Sequence, residues 1–140
     1  MVGLGAGARS YTRGLHYASE YAVGARGVRA ILDDYTARPA EAFDVADYGH
    51  RLAPEDRRRR FVLQSLLQRA GLALDAYARR FGTDARDDLP ELEELVGLGL
   101  AEPGDRVLTL TDAGLERSDA VGPWLYSAEV RRAMEGYEWH

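Results

Sequence analysis

The sequence contains neither cysteine nor lysine. Without cysteine the chain has no disulfide, no thiolate zinc site and no cysteine-bound iron–sulfur cluster. All 18 basic residues are arginine, and with 23 acidic residues the formal net charge is −5. This charge gives no general electrostatic attraction to nucleic acid or to acidic membranes, so we expect neither as a partner.

Long apolar runs and targeting signals are also missing. No stretch approaches the roughly 18 apolar residues of a membrane span. Residues 1–8 lack the basic start and the sustained hydrophobic stretch of a secretory signal. The length of 140 residues, with 46% hydrophobic and 29% charged residues, is typical of a globular protein. We expect a soluble, cytoplasmic protein with one core and one appended segment.

The character of the sequence changes near residue 52, which predicts two parts, 1–51 and 52–140. In the first part, a glycine-rich run leads into a polar, aromatic stretch. A helix is predicted over residues 26–37. It is expected to end there because Pro39 disfavours helical geometry in the residue before it. The first part is therefore predicted to be a strand, a loop and a helix. Residues 44–51 are predicted to be an ordered connection or a short extended piece.

Helical signals dominate the second part. Pro54 suits a first helical turn, and apolar residues recur at helical spacing over residues 62–70. Asp75 is predicted to cap a second helix that ends at Gly82. Asp88 is predicted to cap a third helix, because proline and glutamate follow it in the positions of a first helical turn.

Strand and turn signals follow the third helix. A small β-hairpin is predicted over residues 100–111, with proline and glycine in its turn. Thr111 or Asp112 is predicted to cap a further helix, interrupted at residues 122–123, before a last helix over residues 127–137. The predicted fold class is mainly α with a small β-hairpin, and its order of elements describes a winged-helix-like C-terminal domain.

A winged helix suggests, as an alternative function, a DNA-binding or protein-interaction regulator. The second helix of its helix-turn-helix pair should present basic or amide side chains to DNA. Here that helix carries Glu91, Glu93 and Glu94. The arginine run over residues 57–60 spreads around a helix and is interpreted as a solvated or interdomain face. A packing module that reuses the architecture is therefore favoured.

The remaining motifs are weak. Residues 3–8 formally match a dinucleotide-binding pattern, but only two residues precede them and no convincing helix follows. Their glycines indicate close backbone approach or dihedral angles closed to other residues. His16, His50 and His140 show no metal-ligand spacing, so neither a metal site nor a catalytic residue is predicted. A group of tyrosines fits either packing or the border of a flat aromatic ligand such as a porphyrin: Tyr11, Tyr17, Tyr21, Tyr35 and Tyr48.

Five segments occur in a recognisable order: GLGAGARS (3–10), LQSL (63–66), YARRFG (77–82), LVGLGL (95–100) and LTDAGL (110–115). Together they resemble the C-terminal region of the oxygen-independent coproporphyrinogen III oxidases and related radical S-adenosylmethionine proteins. In that family a partial β/α barrel carries a cysteine motif, which binds a [4Fe–4S] cluster that cleaves S-adenosylmethionine. The C-terminal domain packs over the mouth of the barrel.

The resemblance implies that residues 1–51 are a barrel-edge strand, glycine loop and helix. It places a cofactor- or substrate-contacting loop at Gly3, Gly5, Ala6, Gly7, Ala8 and Arg9. S-adenosylmethionine and [4Fe–4S] belong to the full-length family, and no cofactor is expected in this chain by itself. The implied function is a fragment or module of a tetrapyrrole-biosynthesis enzyme that covers the substrate pocket and is not catalytic alone. The implied partners are the missing barrel or a second copy through an exposed strand, with a tetrapyrrole-like molecule in the intact enzyme.

Overall fold

The computed structural model describes residues 1–20, 22, 24–46 and 48–136. The predictions that involve Tyr21, Tyr137 and His140 lie outside these residues. The chain divides into two compact units, whose described parts fall within Met1–Ala53 and Pro54–Gly136. The boundary predicted from the sequence lay between residues 51 and 52. None of the helices in the described part of the chain is both long enough and apolar enough to cross a membrane.

The first unit is built on a three-stranded antiparallel sheet with the strand order β1-β2-β3. β1 (Arg9–Tyr11) pairs with β2 (Leu15–Ala18), and β3 (Tyr48–Arg51) pairs with the other edge of β2. The connection from β2 to β3 contains α1 (Ala25–Ala37) and a 3-10 helix (Ala40–Asp44). The sheet is thus formed by consecutive strands, with the helical segments inserted before the last one.

Part of the prediction for this unit was wrong. The helix before Pro39 and the short extended piece before residue 52 are confirmed as α1 and β3. The strand–loop–helix order is not, because residues 1–8 form no strand and the strands that follow pair antiparallel. A strand of a β/α barrel has parallel neighbours. Gly5 and Gly7 have positive φ angles, which turn the chain where a continuous strand was expected.

Apolar burial is almost absent from the first unit. Among its described residues only Ser10 is buried. Large apolar side chains are instead exposed, as at Leu4, which is 92% exposed, and Val45, which is 75% exposed. Hydrophobic burial is the main source of folding stability, so this unit is expected to be marginally stable without a partner.

Seven helices and a second three-stranded antiparallel sheet form the described part of the second unit. The helices are α2 (Pro54–Leu66), α3 (Leu74–Phe81), α4 (Ala85–Asp88), α5 (Glu91–Gly97), α6 (Asp112–Glu116), α7 (Ser118–Trp124) and α8 (Ala128–Glu135). The strands are β4 (Leu72–Ala73), β5 (Ala101–Glu102) and β6 (Val107–Leu110). Their order in the sheet is β4-β6-β5, so the last strand of the chain lies in the middle.

The hydrophobic core lies within this second unit. The apolar spacing predicted over residues 62–70 is confirmed at Val62 and Leu66, which are buried, but α2 ends at Leu66 and Leu67 is 40% exposed. Leu92 and Leu95 of α5 are also buried. They pack with buried residues of the neighbouring elements, among them Leu72, Tyr77, Leu89, Leu108, Val121 and Leu125. Each fully buried leucine of this kind contributes about 1.5–3 kcal/mol relative to an exposed one. The core is therefore sufficient to hold the helices against the small sheet.

Several turn and cap predictions for the second unit are confirmed. β5 and β6 form the predicted antiparallel hairpin. Gly82 ends α3 with a left-handed backbone, at a φ of 77°. The Thr111 hydroxyl caps α6 by accepting a hydrogen bond from the Gly114 amide, at 3.1 Å. The predicted last helix is found as α8, and the Ser127 hydroxyl, for which no capping role was predicted, caps it by accepting from the Val130 amide. These features depend on local chemistry that the sequence displays directly.

Three other local predictions were wrong. Asp75 does not cap α3, since it lies in the first turn, where its carboxylate pairs with Arg79 at 2.6 Å. Asp88 does not cap α5, since it is the last residue of α4, an additional turn of helix capped by Asp84. The break expected at residues 122–123 lies instead at Arg117, because buried residues keep α7 continuous against the core. The described chain is thus a small mixed α/β fold, with more strands than the single predicted hairpin.

Candidate functional site

The glycine-rich segment forms a closed loop at the start of the chain. Met1 and Tyr11 exchange two backbone hydrogen bonds, of 2.9 Å and 2.8 Å, which join the two ends of the loop. Inside this neck, the Gly3 amide donates to the hydroxyl of Ser10 at 3.0 Å. Ser10 is the buried residue of the first unit. The neck therefore gives the loop a defined shape even though no hydrophobic core supports it.

The glycines of this loop have specific conformational roles. A Cβ atom at position 3 would lie 2.6 Å from the carbonyl oxygen of Arg9, so only glycine allows this close approach. Gly5 and Gly7 have φ angles of 106° and 71°, which side chains with a Cβ rarely adopt. A hydrogen bond of 3.1 Å from the Ala8 amide to the Gly5 carbonyl closes the turn. The expectation that these glycines serve close approach and unusual dihedral angles is confirmed.

All six residues of the predicted loop site lie within this one loop and its exit. Gly3, Gly5, Ala6 and Ala8 are half-buried, whereas Gly7 is exposed and Arg9 begins β1 with an exposed side chain. At the tip, the amides of residues 5–7 donate no hydrogen bond within the described part of the chain. Consecutive amides at a glycine turn are suited to a carboxylate or another anionic group. The loop can therefore offer donors to a ligand without contributing a catalytic side chain.

Next to the loop, one face of the first sheet carries aromatic and imidazole rings. The rings of Tyr11 and His16 stack, with centroids 4.3 Å apart and planes inclined by 11°. His16 lies directly opposite His50 in the register of β2 and β3. These histidines look scattered in the sequence, and no local pattern could have joined two residues that only the sheet register aligns. No group of three or more potential ligands that could hold a metal ion occurs among the described residues.

The predicted tyrosine group does not form a single cluster in the described residues. Tyr11 stacks on a histidine of the sheet, whereas Tyr35 packs edge-on against Phe43 with centroids 5.1 Å apart. Tyr17 and Tyr48 belong to neighbouring strands and are not directly paired in the register. Tyr21 lies outside the described residues. The four described tyrosines are therefore not all brought together at one place.

The second unit contains a polar cluster centred on Asp88. Its Oδ2 atom accepts hydrogen bonds from the Tyr77 hydroxyl, at 2.7 Å, and from the Thr83 hydroxyl. The Nε atom of Arg58 lies 3.0 Å from the same oxygen. The hydrogen bond from Thr83, followed by that from Tyr77 and the charge of Arg58, holds the pKa of Asp88 below its usual value, although burial opposes this shift.

Burial and the hydrogen bond to Asp88 raise the pKa of Tyr77 well above its usual value. A hydroxyl in this state stays protonated near neutral pH and acts as a hydrogen-bond donor. The ring of Tyr77 also packs with those of Phe61 and Phe81. The cluster therefore fastens α3 and α4 to the core and offers no activated catalytic group.

Acidic side chains engage part of the arginine run of α2. Arg59 forms ion pairs with Glu55, at 2.7 Å, and with Glu91, at 2.9 Å, and it also donates to the Leu125 carbonyl. Arg58 pairs with Asp88, as described above. On the neighbouring helix, Arg86 pairs with Glu93 at 3.1 Å. These guanidinium groups already have carboxylate partners within the same unit.

Comparison with known proteins gives a match to a family model. Residues 52–116 match the family model described as the HemN C-terminal domain. The matched segment begins just before α2 and extends through α6, so it covers five of the helices and the second sheet but not the core residues Val121 and Leu125. Neither the search of curated proteins nor the search of solved structures returned a match. Residues 52–116 of the chain thus match the HemN C-terminal domain, and the resemblance to the C-terminal region of the HemN-type radical S-adenosylmethionine coproporphyrinogen oxidases is confirmed.

Proposed function

We propose that this chain acts as the C-terminal module of a coproporphyrinogen III oxidase-like radical S-adenosylmethionine enzyme. In this role it covers the substrate pocket and has no catalytic activity alone. The observation that carries the proposal is the HemN C-terminal domain at residues 52–116 in a chain without cysteine. The radical chemistry of the family depends on a cluster held by thiolates, so that cluster does not fit this chain. The cytoplasm stays the predicted location.

The order of elements in the second unit supports a winged-helix-like architecture for this module. Helix α2 is followed by a strand, three further helices and a hairpin, and the sheet order is β4-β6-β5. In such an arrangement the first strand pairs with the last, which fixes the hairpin beside the helices. We propose that this domain packs against the cluster-binding portion of the enzyme.

Features of the first unit support a role at the boundary with that portion. Met1, Val2 and Leu4 are 79%, 67% and 92% exposed beside the glycine loop. Exposed apolar side chains of this size indicate a surface that another protein covers. The amides at the loop tip, which donate no hydrogen bond to any described residue, are suitable donors for a bound carboxylate, such as that of S-adenosylmethionine or of a tetrapyrrole substrate.

The alternative function is a winged-helix regulator that binds DNA or protein. For DNA binding, α5 would have to enter the major groove, but its first turn is acidic: Glu91, Glu93 and Glu94. The ion pairs of Arg58 and Arg59 argue against a phosphate-binding role for these two arginines. Filter binding across a salt series separates the two functions, because phosphate contacts weaken steeply with added salt. We expect no salt-dependent DNA binding.

A reconstitution experiment tests the main proposal. The purified chain is treated with iron and sulfide and assayed for cluster absorbance and for formation of 5′-deoxyadenosine, and we expect neither. The chain is then added to a HemN-type oxidase from which the C-terminal domain has been removed, and consumption of coproporphyrinogen is measured. We expect addition of the chain to increase substrate consumption.

Paired glycine variants test the loop in the same assay. Gly7→Val places a β-branched side chain at a positive φ angle, and we expect it to lose the stimulation. Gly14→Val is the matched control, since no atom lies within 4 Å of the position that its Cβ would take and its φ is not positive. A redox-active cluster on the chain alone, or an oxidase that does not respond to the chain, would contradict the proposal.

A further inference from the structure

Helix α1 has an apolar face that the described chain covers only at the Tyr35 end, where Tyr35 packs against Phe43. The helix runs from Ala25 to Ala37 and contains no buried residue. Ala25, Val28, Leu32 and Tyr35 recur at the three- and four-residue spacing that places side chains on one face. Val28 and Leu32, in the middle of this face, are 41% and 48% exposed. This α1 face is therefore available to another helix.

The helix also lacks the usual sources of intrinsic stability. Its N-cap, Gly24, provides no side-chain hydrogen bond, and its first turn contains no acidic residue. Arg26 lies near its N-terminus and Asp34 near its C-terminus, so each charge opposes the helix dipole. An isolated helix of 13 residues is marginal in water even with a favourable sequence. A packing partner would supply the stability that the helix lacks by itself.

The distribution of charge along α1 indicates which partner fits. Arg26 and Arg29 lie in the N-terminal half, whereas Asp33 and Asp34 lie in the C-terminal half. Asp34 is already paired with Arg38, at 2.6 Å. Neither Arg29 nor Asp33 forms an ion pair within the described residues. Both residues lie along the same edge of the α1 face, next to Leu32. The helix is therefore positive at one end and negative at the other.

We propose that the α1 face binds the α1 face of a second copy of this chain, with the two helices antiparallel about a twofold axis. In this arrangement the Arg29 half of each helix lies beside the Asp33 half of the other. The twofold axis therefore gives two equivalent ion pairs between Arg29 of one copy and Asp33 of the other. The helix dipoles are also opposed favourably. Because the same helix has a positive half and a negative half, it is complementary to a second copy of itself. A partner helix with charges of one sign would match only one of the two halves.

The contact area sets the expected strength of this dimer. A 13-residue helix is about 20 Å long. One pair of such helices buries less than the roughly 1,200 Å² at which stable interfaces begin. We therefore expect a weak dimer whose population depends on protein concentration. The inference concerns α1 alone and does not rest on the proposed function of the glycine loop or of the second unit.

Sedimentation velocity of the full chain, from low micromolar to near-millimolar concentration, tests the proposal. The wild type should shift from monomer toward dimer as the concentration rises. Arg29→Asp and Asp33→Arg should each lose this shift, because the side chains at positions 29 and 33, which face each other in the dimer, then have the same sign. A mixture of the two variants should regain it, because each provides the charge that the other lacks. Arg13→Asp, which makes the same charge change outside α1, should behave as wild type.

Circular dichroism of each variant separates loss of pairing from loss of helix. If a variant loses helical signal when alone and regains both helix and dimer in the mixture, the proposal is supported. A wild-type chain that stays monomeric at every concentration would overturn it. So would dimerisation that persists unchanged in Arg29→Asp, which would place the contact elsewhere, for example at an exposed strand. A mixture that remains monomeric would also overturn it.

Discussion

Replacing Asp88 with alanine removes the acceptor at the centre of the polar cluster in the second unit. One carboxylate oxygen accepts from the hydroxyls of Tyr77 and Thr83 and lies 3.0 Å from the Nε atom of Arg58. Tyr77 has no exposed surface, so in Asp88→Ala its hydroxyl stays in the core without this acceptor. The partly exposed side chain of Thr83 can turn to water instead.

The magnitude follows from these environments. A buried hydroxyl left unsatisfied costs about 1–3 kcal/mol. The ion pair with Arg58 is partly exposed, at 29% and 20% of the two side chains, and adds about 0–1 kcal/mol. We therefore expect Asp88→Ala to lower the free energy of unfolding by about 3 kcal/mol. A unit of this length has about 4–12 kcal/mol of stability, so the variant should still fold.

A second substitution tests whether the unsatisfied Tyr77 hydroxyl causes the loss of stability. Because Tyr77→Phe removes the unsatisfied hydroxyl, the double variant Asp88→Ala/Tyr77→Phe should be more stable than Asp88→Ala alone by about 1 kcal/mol. Urea unfolding at neutral pH, followed by far-ultraviolet circular dichroism, measures both differences. Asp87→Ala is the matched control, since Asp87 is exposed and its loss should change stability by less than about 0.5 kcal/mol. A double variant less stable than Asp88→Ala would refute the reasoning.

Three further outcomes are expected. Gly114→Ala should destabilise the second unit by about 1–3 kcal/mol in urea unfolding, because its Cβ would lie 2.0 Å from the Leu100 carbonyl oxygen. Gly97→Ala, in open space within α5, should be neutral or stabilising. Since the folded pKa of Asp88 is lowered, its contribution is present above the unfolded value of about 4 and lost as the pH falls further. Acid unfolding should therefore be less steep in Asp88→Asn. In hydrogen exchange, the amides of β1–β3 should exchange faster than those of β5–β6, because only the second sheet packs on a buried core.

Features that depend on near neighbours were predictable from the sequence. The apolar spacing around Val62 and Leu66 predicted α2, and Gly82 predicted the end of α3, because helical periodicity and left-handed backbone are local properties. Thr111 and Ser127 were recognised as helix starts for the same reason. The glycines at positions 3, 5 and 7 indicated close approach and unusual dihedral angles, which the loop adopts.

The tertiary structure decided what depends on residues far apart in the chain. β4 has only two residues, which become a strand because β6 pairs with them. Asp88 resembled a helix cap, yet its partners Tyr77 and Arg58 come from other helices, and their positions place it at the centre of a half-buried polar cluster. The alignment of His16 with His50 depends on sheet register.

The unequal burial of apolar side chains in the two units also depends on contacts between residues far apart in the chain. The sequence by itself determined helices, turns and the type of C-terminal domain, because their signals repeat within a few residues. Composition could not show that many apolar residues of 54–136 enclose one another, whereas among the described apolar residues of 1–53 none is buried. Burial is a property of packing in three dimensions. Only the fold therefore shows which apolar surface is covered within the chain and which is left exposed for contact with a partner.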